Sequence, residues 1–224
     1  MKKNAVLFVL FVLPIVAYLF FASGVNSFTK LPVLTPQIAD FGNWKSLDGK
    51  AIKLDNKITI LGFSGTEILK NRGNYFNLNQ KIYQRYHKFE DLQFVVVCPV
   101  GTEKDAQYIL EQLDKFTEIE QWRFVFAPKA EIQSFYNQLQ LKKDKLDANL
   151  GTPNVYIVDK DRNLRGRKVQ DEKEYKEGYS MFHPAELSNE MLDDFKIILY
   201  EYRAALKKNN NASGKLTKDS YREK

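Results

Sequence analysis

Short apolar runs alternate with segments of helical periodicity along most of this 224-residue chain. The clearest run, residues 92–98, is rich in β-branched side chains and stops at Pro99, as is typical of a buried strand. Helical segments between such runs allow successive strands to pair in parallel, with helices covering both faces of the sheet. The pattern predicts an α/β fold with a central mixed sheet flanked by helices. The other predicted strands are residues 58–63, 122–126 and 155–158.

The helical segments are recognised by their apolar spacing. Ile68, Tyr75 and Ile82 recur every seven residues and predict one broad apolar face. The last helix is amphipathic and follows all the predicted strands, so we expect it to pack on the finished sheet. The predicted helices cover residues 68–83, 102–116, 128–139 and 185–207.

The segments around this core predict the domain boundaries. Residues 25–40 contain two prolines and little periodicity, which is typical of an extended linker. Residues 41–54 alternate around Asp48-Gly49, which predicts an N-terminal hairpin at the start of a domain spanning residues 41–207. Residues 208–224 are polar, and we expect a disordered tail there.

The N-terminus predicts a membrane segment within residues 1–24. Lys2 and Lys3 precede an uncharged apolar run, residues 5–22, which as a helix is about 27 Å long, close to the thickness of the hydrocarbon core. Lysines before such a segment keep that end in the cytoplasm. We therefore expect a single-pass bacterial inner-membrane protein with its domain in the periplasm. Residues 22–24 also offer a signal-peptide cleavage site, so a secreted form stays open.

Charge and motifs argue against several classes of function. The net charge of +6 is concentrated at the two ends of the chain, so we expect no nucleic-acid partner. No zinc-binding pair, phosphate-binding glycine loop or nucleophile elbow is present, and only two histidines occur. The sequence therefore predicts a protein that is not an enzyme and has no cofactor.

The junction after the first long strand is the position at which a reactive cysteine would be expected in a strand-to-helix site. Ser64, Gly65 and Thr66 stand where an apolar strand gives way to a helical pattern. A helix start at such a junction can stabilise a sulfur anion through its free N–H groups and the helix dipole. Serine and threonine can cap a helix there but cannot exchange disulfides.

The order of these elements resembles the thioredoxin-like superfamily, and within it the Sco/SenC family of membrane-anchored copper chaperones for cytochrome oxidase assembly. The resemblance covers residues 41–167 and includes residues 151–159, Gly-Thr-Pro-Asn-Val-Tyr-Ile-Val-Asp, before a turn. The family pattern has two cysteines where this chain has Thr66 and Lys70, and a histidine near residues 149–153, where none occurs. The resemblance therefore implies the fold and the anchor, without family copper transfer or disulfide exchange.

The same resemblance implies a place for a partner. Thioredoxin-like folds bring the loop after the first central strand close to a later loop that carries a cis proline. We therefore expect Ser64, Gly65 and Thr66 to line a groove with Thr152 and a cis Pro153, whose backbone could pair with an extended peptide. This implies a non-catalytic accessory module, with a periplasmic or membrane protein as partner, in respiratory-complex or envelope protein maturation.

A second hypothesis concerns copper. Cys98, Met181 and His183 offer a thiol, a thioether and an imidazole, a ligand set that suits this metal. Against this, Cys98 ends an apolar strand, where a cysteine is usually a small buried hydrophobe. His183 precedes Pro184 at a predicted helix start, and His87 falls at a helix end, positions that polar tips commonly occupy.

Overall fold

The computed structural model describes residues 3–23, 30–169 and 174–219. Within them, the central sheet has eight strands, and a two-stranded ribbon lies apart from it. The strands are β1 (Val33–Thr35), β2 (Lys45–Ser46), β3 (Ile58–Ser64), β4 (Leu92–Pro99), β5 (Trp122–Ala127), β6 (Gly151–Val158), β7 (Leu164–Arg165), β8 (Arg167–Lys168), β9 (Tyr175–Lys176) and β10 (Tyr179–Ser180).

The sheet is mixed, as the sequence predicts. Its order is β1-β7-β6-β3-β4-β5-β2, and β10 pairs with β6 beside this path. The strands β3, β4 and β5 are parallel neighbours, whereas β6 is antiparallel to β3. As a result, the C-terminal end of β3 and the N-terminal start of β6 lie at the same edge of the sheet.

Helices cover both faces of this sheet. The segment after β3 is a composite of a 3₁₀ turn (Ile68–Asn71), α2 (Arg72–Leu78), a π turn (Asn79–Tyr83) and α3 (Gln84–Tyr86). A second π turn (Leu187–Met191) precedes the C-terminal helix. The remaining helices are α1 (Lys3–Ser23), α4 (Glu103–Asp114), α5 (Lys129–Gln138), α6 (Pro184–Glu186) and α7 (Leu192–Asp219).

Alternation along β3 divides the buried residues into two apolar layers. Ile60 joins the layer formed with α2, α4 and α7, whose members include Phe195. Leu61 and Phe63 face the opposite layer, where α5 contributes Phe135. All seven residues of β3 are buried, because helices or loops cover it on both sides.

The predicted hairpin at residues 41–54 is present only as its turn and a short antiparallel contact. Gly49 has a positive φ of 77° and donates its N–H to the Ser46 carbonyl, which closes a turn at Asp48-Gly49. Only one bridge, between Lys45 and Ala51, joins the two arms. The first arm is instead β2, which pairs antiparallel with β5. The free edge of β5 offers a row of backbone partners that a short isolated hairpin lacks.

The two ends of the chain are helical where they are described. No helix is long and apolar enough to cross a membrane within the residues whose side chains the structure describes, which in α1 are residues 8–19. At the other end, α7 continues to Asp219, past Lys207, through residues for which the sequence predicts a disordered tail. No proline interrupts residues 207–219, so nothing in that segment forbids the helix.

Buried charges tie the ends of the domain together, and no pattern in the sequence indicates them. The guanidinium of Arg165 is 2.8 Å from Asp159 and 2.9 Å from Glu201, and its Nε donates to the Leu31 carbonyl. Nearby, Arg167 lies 2.8 Å from the buried Asp194. Arg165 of β7 and Arg167 of β8 thus hold the C-terminal helix against the sheet.

Candidate functional site

The loop after β3 and the loop before β6 meet at one edge of the sheet, as the resemblance implies. Ser64 pairs with Gly151 in the ladder between β3 and β6. Beyond this pair, the Thr66 N–H donates to the Asn149 carbonyl over 3.0 Å. Three of the predicted site residues, Ser64, Gly65 and Thr66, therefore lie against the segment that leads into Thr152 and Pro153.

These loops touch through their backbones, so no open groove separates Gly65 from Gly151. Gly65 has a φ of +65°, and a Cβ placed there would lie 2.7 Å from the Asn149 carbonyl oxygen and 2.8 Å from the Gly151 nitrogen. Only glycine allows this approach without displacing the backbone. The accessible part of the site is a rim with an exposed Pro153 and a partly exposed Thr66 and Thr152.

The prediction of a cis Pro153 is wrong, because the described residues contain no cis peptide bond. Pro153 lies inside the eight-residue strand β6, between the pairing of Gly151 with Ser64 and the pairing of Asn154 with Ser180. An extended trans peptide carries the strand straight through these pairings, and it is also the lower-energy isomer.

The backbone of Pro153 is already paired within the chain. The Met181 N–H donates to the Pro153 carbonyl over 2.8 Å, directly after β10 pairs with β6. A strand edge that is occupied in this way cannot pair with a peptide at the same atoms. The expectation that Pro153 offers free backbone groups is therefore corrected, and contacts of a partner there fall on side chains.

The helical segment after the site begins later than a thiolate would require. Residues 68–71 form a 3₁₀ turn, and the α-helix begins only at Arg72. Glu67 bridges this turn to the other loop: its carboxylate accepts from the Asn149 side-chain amide at 3.1 Å and from Lys70 at 2.6 Å. These polar contacts hold the rim, and the α-helix begins six residues after Thr66.

Cys98 is buried, which confirms its interpretation as a small core residue. Its side chain has no solvent exposure, and burial raises the pKa of the thiol to about 12. Ser64 lies beside it and donates its hydroxyl to the Gly65 carbonyl over 2.9 Å. At neutral pH the thiol is therefore protonated and out of reach of a substrate.

A polar network next to the rim is a feature that the sequence does not reveal. The hydroxyls of Tyr136 and Tyr156 lie 3.1 Å apart, and the Asp144 carboxyl lies beside Tyr156 and Asn154. Burial raises the pKa of Asp144, whose carboxyl is half-buried. The only indication of this network in the sequence is a tyrosine, Tyr156, within an otherwise apolar strand. Residues 142–149 have the composition of an ordinary loop.

Glu177 holds the loop of residues 142–149 in place through the loop backbone. Its carboxylate accepts the backbone N–H groups of Lys142 at 2.7 Å and Lys143 at 3.0 Å. The next residue, Gly178, is packed closely against the network: a Cβ at that position would lie 2.8 Å from the Tyr156 ring and 3.0 Å from Asp144. The segment before β10 thus fixes the position of the network beside the rim.

The three residues of the copper hypothesis differ in their surroundings. Cys98 and Met181 are both buried in the layer under α2 and α7, whereas His183 is exposed just before α6. Among the described residues, no three His, Cys, Asp or Glu side chains come together in a group that could hold a metal ion. His87 lies at the end of α3, as predicted, with its Nδ1 3.0 Å from the Gln84 carbonyl.

Comparisons with known proteins address the fold. No family model matches the sequence, and no curated protein matches it. A candidate protein disulfide isomerase from Bacteroides thetaiotaomicron is similar in structure, with a TM-score of 0.52 at 12% identity, over 79% of this chain and 98% of that chain.

Two other solved structures are similar with lower scores. A candidate thiol:disulfide interchange protein DsbE from Chlorobium tepidum has a TM-score of 0.47 at 20% identity, over 76% of this chain and 98% of that one. Copper-bound ScoI from Arabidopsis thaliana has a TM-score of 0.44 at 18% identity, over 71% and 98%. The sheet order β7-β6-β3-β4 and the likeness to the Bacteroides protein show that this chain has the thioredoxin-like fold.

Proposed function

We propose that this chain is a membrane-anchored, Sco-like binding module that has no thiol–disulfide chemistry of its own. It acts on the outer side of the inner membrane as an accessory to the maturation of respiratory-complex or envelope proteins. The partner is a periplasmic or membrane protein. The fold supports a thioredoxin-like scaffold for this module. The assignment to a maturation pathway is made by analogy with the Sco/SenC family.

The observation that carries this proposal is the closed contact between the two loops. Where a redox site would leave a thiol facing a groove, Thr66 is hydrogen-bonded to Asn149 and Gly65 is pressed against Gly151. The only cysteine of the sequence, Cys98, is buried with a pKa of about 12. This geometry supports a surface that binds and does not react.

The partner surface is the rim formed by Thr66, Thr152 and Pro153, with Glu67 beside it. Its residues come from two loops that are fixed to each other, so it is preorganised, which reduces the entropy lost on binding. Polar contacts at Glu67 and Asn149 hold the rim in place, and the exposed Pro153 ring adds an apolar contact.

Crosslinking in cells tests this surface. A photoreactive residue at Thr66 or Asn154 is expected to give an adduct of defined mass with a membrane or periplasmic protein. Matched controls carry the same residue at Lys168 or Tyr175, which are exposed on the ribbon β8–β9. Adducts from the controls alone would place the functional surface away from the rim and refute the assignment.

The anchor is proposed from the apolar residues 5–22 and the two lysines before them. Protease added to spheroplasts is expected to remove the domain, while lysis adds no further cleavage. A domain that is protected in intact spheroplasts and cleaved only after lysis would contradict the proposed topology.

Copper binding is a second candidate, favoured by one contact. Because the Met181 N–H bonds to Pro153, both Met181 and the neighbouring His183 lie at the site edge of the sheet. The raised pKa of Cys98 opposes its part in such a site, since copper binds the thiolate. Titration with Cu(I) against a competing chelator separates the two candidates: tight stoichiometric binding that is lost in His183→Ala favours copper, and its absence favours the binding module.

A further inference from the structure

The C-terminal helix extends beyond the domain it packs against. Among the side chains of α7 that the structure describes, which end at residue 206, Tyr202 is the last that is partly buried, and residues 203–206 are all exposed. The helix nevertheless continues to Asp219. We call residues 203–219 the basic arm. At 1.5 Å per residue, its 17 residues are about 25 Å long.

The basic arm carries most of the net charge of the chain. It has five basic residues and one acidic residue, a difference of +4 in a chain whose total is +6. On the described part of α7, Lys196, Tyr200 and Arg203 recur at helical spacing and are exposed, and Lys207 continues this spacing in the sequence. Tyr86 faces Lys196, Tyr200 and Arg203 across a cleft of about 370 Å³.

The N-terminal segment joins the domain next to the start of the arm. The Leu31 N–H donates to Glu201 over 3.0 Å, and its carbonyl accepts from Arg165. Leu31 is eight residues after Ser23, where α1 ends, so the chain between them spans at most about 29 Å. The arm starts two residues after Glu201. It is therefore held within about this distance of the C-terminal end of α1, and so close to the structure in which α1 is anchored.

We propose that the basic arm binds the anionic lipid headgroups of the membrane in which α1 is anchored. This inference rests on the proposed anchor. The tether holds the arm within reach of the bilayer surface, where each lysine or arginine strengthens binding to anionic lipid by about fivefold at moderate salt. Tyr200 suits the same surface, since tyrosine has an apolar ring and a polar tip. A nucleic acid also attracts basic helices, but the tether favours the bilayer.

A single reporter on the full chain tests the arm. Because Cys98 is buried, a cysteine introduced by Asn209→Cys is the thiol that is labelled with an environment-sensitive fluorophore. The labelled chain is reconstituted in vesicles of phosphatidylcholine, with or without phosphatidylglycerol. We expect headgroup spin-labelled lipid to quench the fluorophore at least twofold more strongly in the anionic vesicles, and added salt to reverse this difference. The same fluorophore at Ser134→Cys, on the exposed face of α5, is expected to show no difference.

Charge variants separate the arm from the general charge of the protein. Lys207→Gln with Lys208→Gln is expected to remove most of the lipid-dependent quenching, since two lost lysines weaken binding by roughly 25-fold. The matched control, Lys88→Gln with Lys104→Gln, removes the same charge from exposed positions elsewhere and is expected to retain it. Equal quenching in both kinds of vesicle, or equal loss in both variants, overturns the proposal.

Two further outcomes are distinguishable. If a short duplex oligonucleotide releases the arm from anionic vesicles at equal phosphate concentration, the arm is a nucleic-acid site and the proposal is wrong. If the chain fails to float with phosphatidylcholine vesicles, the anchor fails. In that case, flotation with anionic vesicles that depends on Lys207 and Lys208 would still support the arm, and no flotation would refute it.

Discussion

Substitution of Gly65 by alanine tests the central contact of the site. At this position φ is +65°, and the nearest atoms to an added Cβ are the Asn149 carbonyl oxygen, the Gly151 nitrogen and the Gly151 Cα, at 2.7, 2.8 and 2.9 Å. All three are backbone atoms, so no side chain can rotate away. The two loops must separate, and the hydrogen bond from Thr66 to Asn149 is lost.

The expected cost has three parts. A left-handed conformation costs an alanine about 1 kcal/mol. The overlap with backbone adds about 1–3 kcal/mol, and the lost hydrogen bond adds about 1 kcal/mol. Gly65→Ala is therefore expected to lower the free energy of unfolding by about 3–5 kcal/mol in total.

Gly42→Ala is the matched control. Gly42 has a φ of +62°, and a Cβ there meets nothing within 4 Å. This variant has the conformational cost alone, and we expect it to lower the free energy of unfolding by about 1 kcal/mol. Urea unfolding followed by fluorescence and circular dichroism measures both variants. Equal losses in the two would show that the loops are not in backbone contact and that the site is open.

Three other predictions concern single side chains. Because burial raises the pKa of Cys98 from 9.0 to about 12, we expect alkylation at pH 8 to be at least about a thousandfold slower than for a free thiol, and normal in denaturant; fast labelling of the folded protein would contradict this. Burial also raises the pKa of Asp144 above 3.8, so the folded state binds its proton more tightly than the unfolded state, and the carboxylate costs stability as the pH rises through the folded pKa. As the pH rises from 4 to 7, the free energy of unfolding of Asp144→Asn, measured in urea, should therefore increase relative to that of the wild type. A decrease relative to the wild type would contradict this prediction. Arg165→Met leaves Asp159 and Glu201 without their buried partner and is expected to cost about 3–5 kcal/mol; a loss under about 1 kcal/mol would show that the cluster is solvated.

The sheet could be predicted because its strands are encoded locally. β3 and β4 are mainly apolar runs buried on both faces, and β5 is mainly apolar although Arg123 and Phe126 are only partly buried. This hydrophobic pattern indicates both their type and their central place. The predicted starts of β3, β4 and β5 agree with the structure, and their ends differ by one residue. The sequence does not indicate the start of β6, since its first residues, Gly151 to Asn154, are polar or lack a β-forming side chain.

Long-range pairings account for most of what the sequence could not predict. β2 and β10 have two residues each, too few to show any period, and each exists because a neighbouring strand has a free edge. The isomer of Pro153 depends on one of these pairings, because β10 binds directly beside it. The network around Asp144 also cannot be predicted from the sequence, because its members are distant in sequence and each has an ordinary local context.

Thiol–disulfide chemistry in a fold of this kind requires three physical conditions at the site, and the structure departs from each of them. A thiolate needs the free amides of an α-helix, but a 3₁₀ turn follows Gly65 and the helix begins at Arg72. It needs access, but the only thiol, Cys98, is in the core. It needs room for the partner sulfur, but Gly65 and Gly151 are in contact. The proposed absence of redox activity therefore rests on the backbone and the packing of the site as well as on the missing cysteines, because sulfur atoms placed at the accessible positions Thr66 and Lys70 would still lack the α-helix amides and the room between the loops.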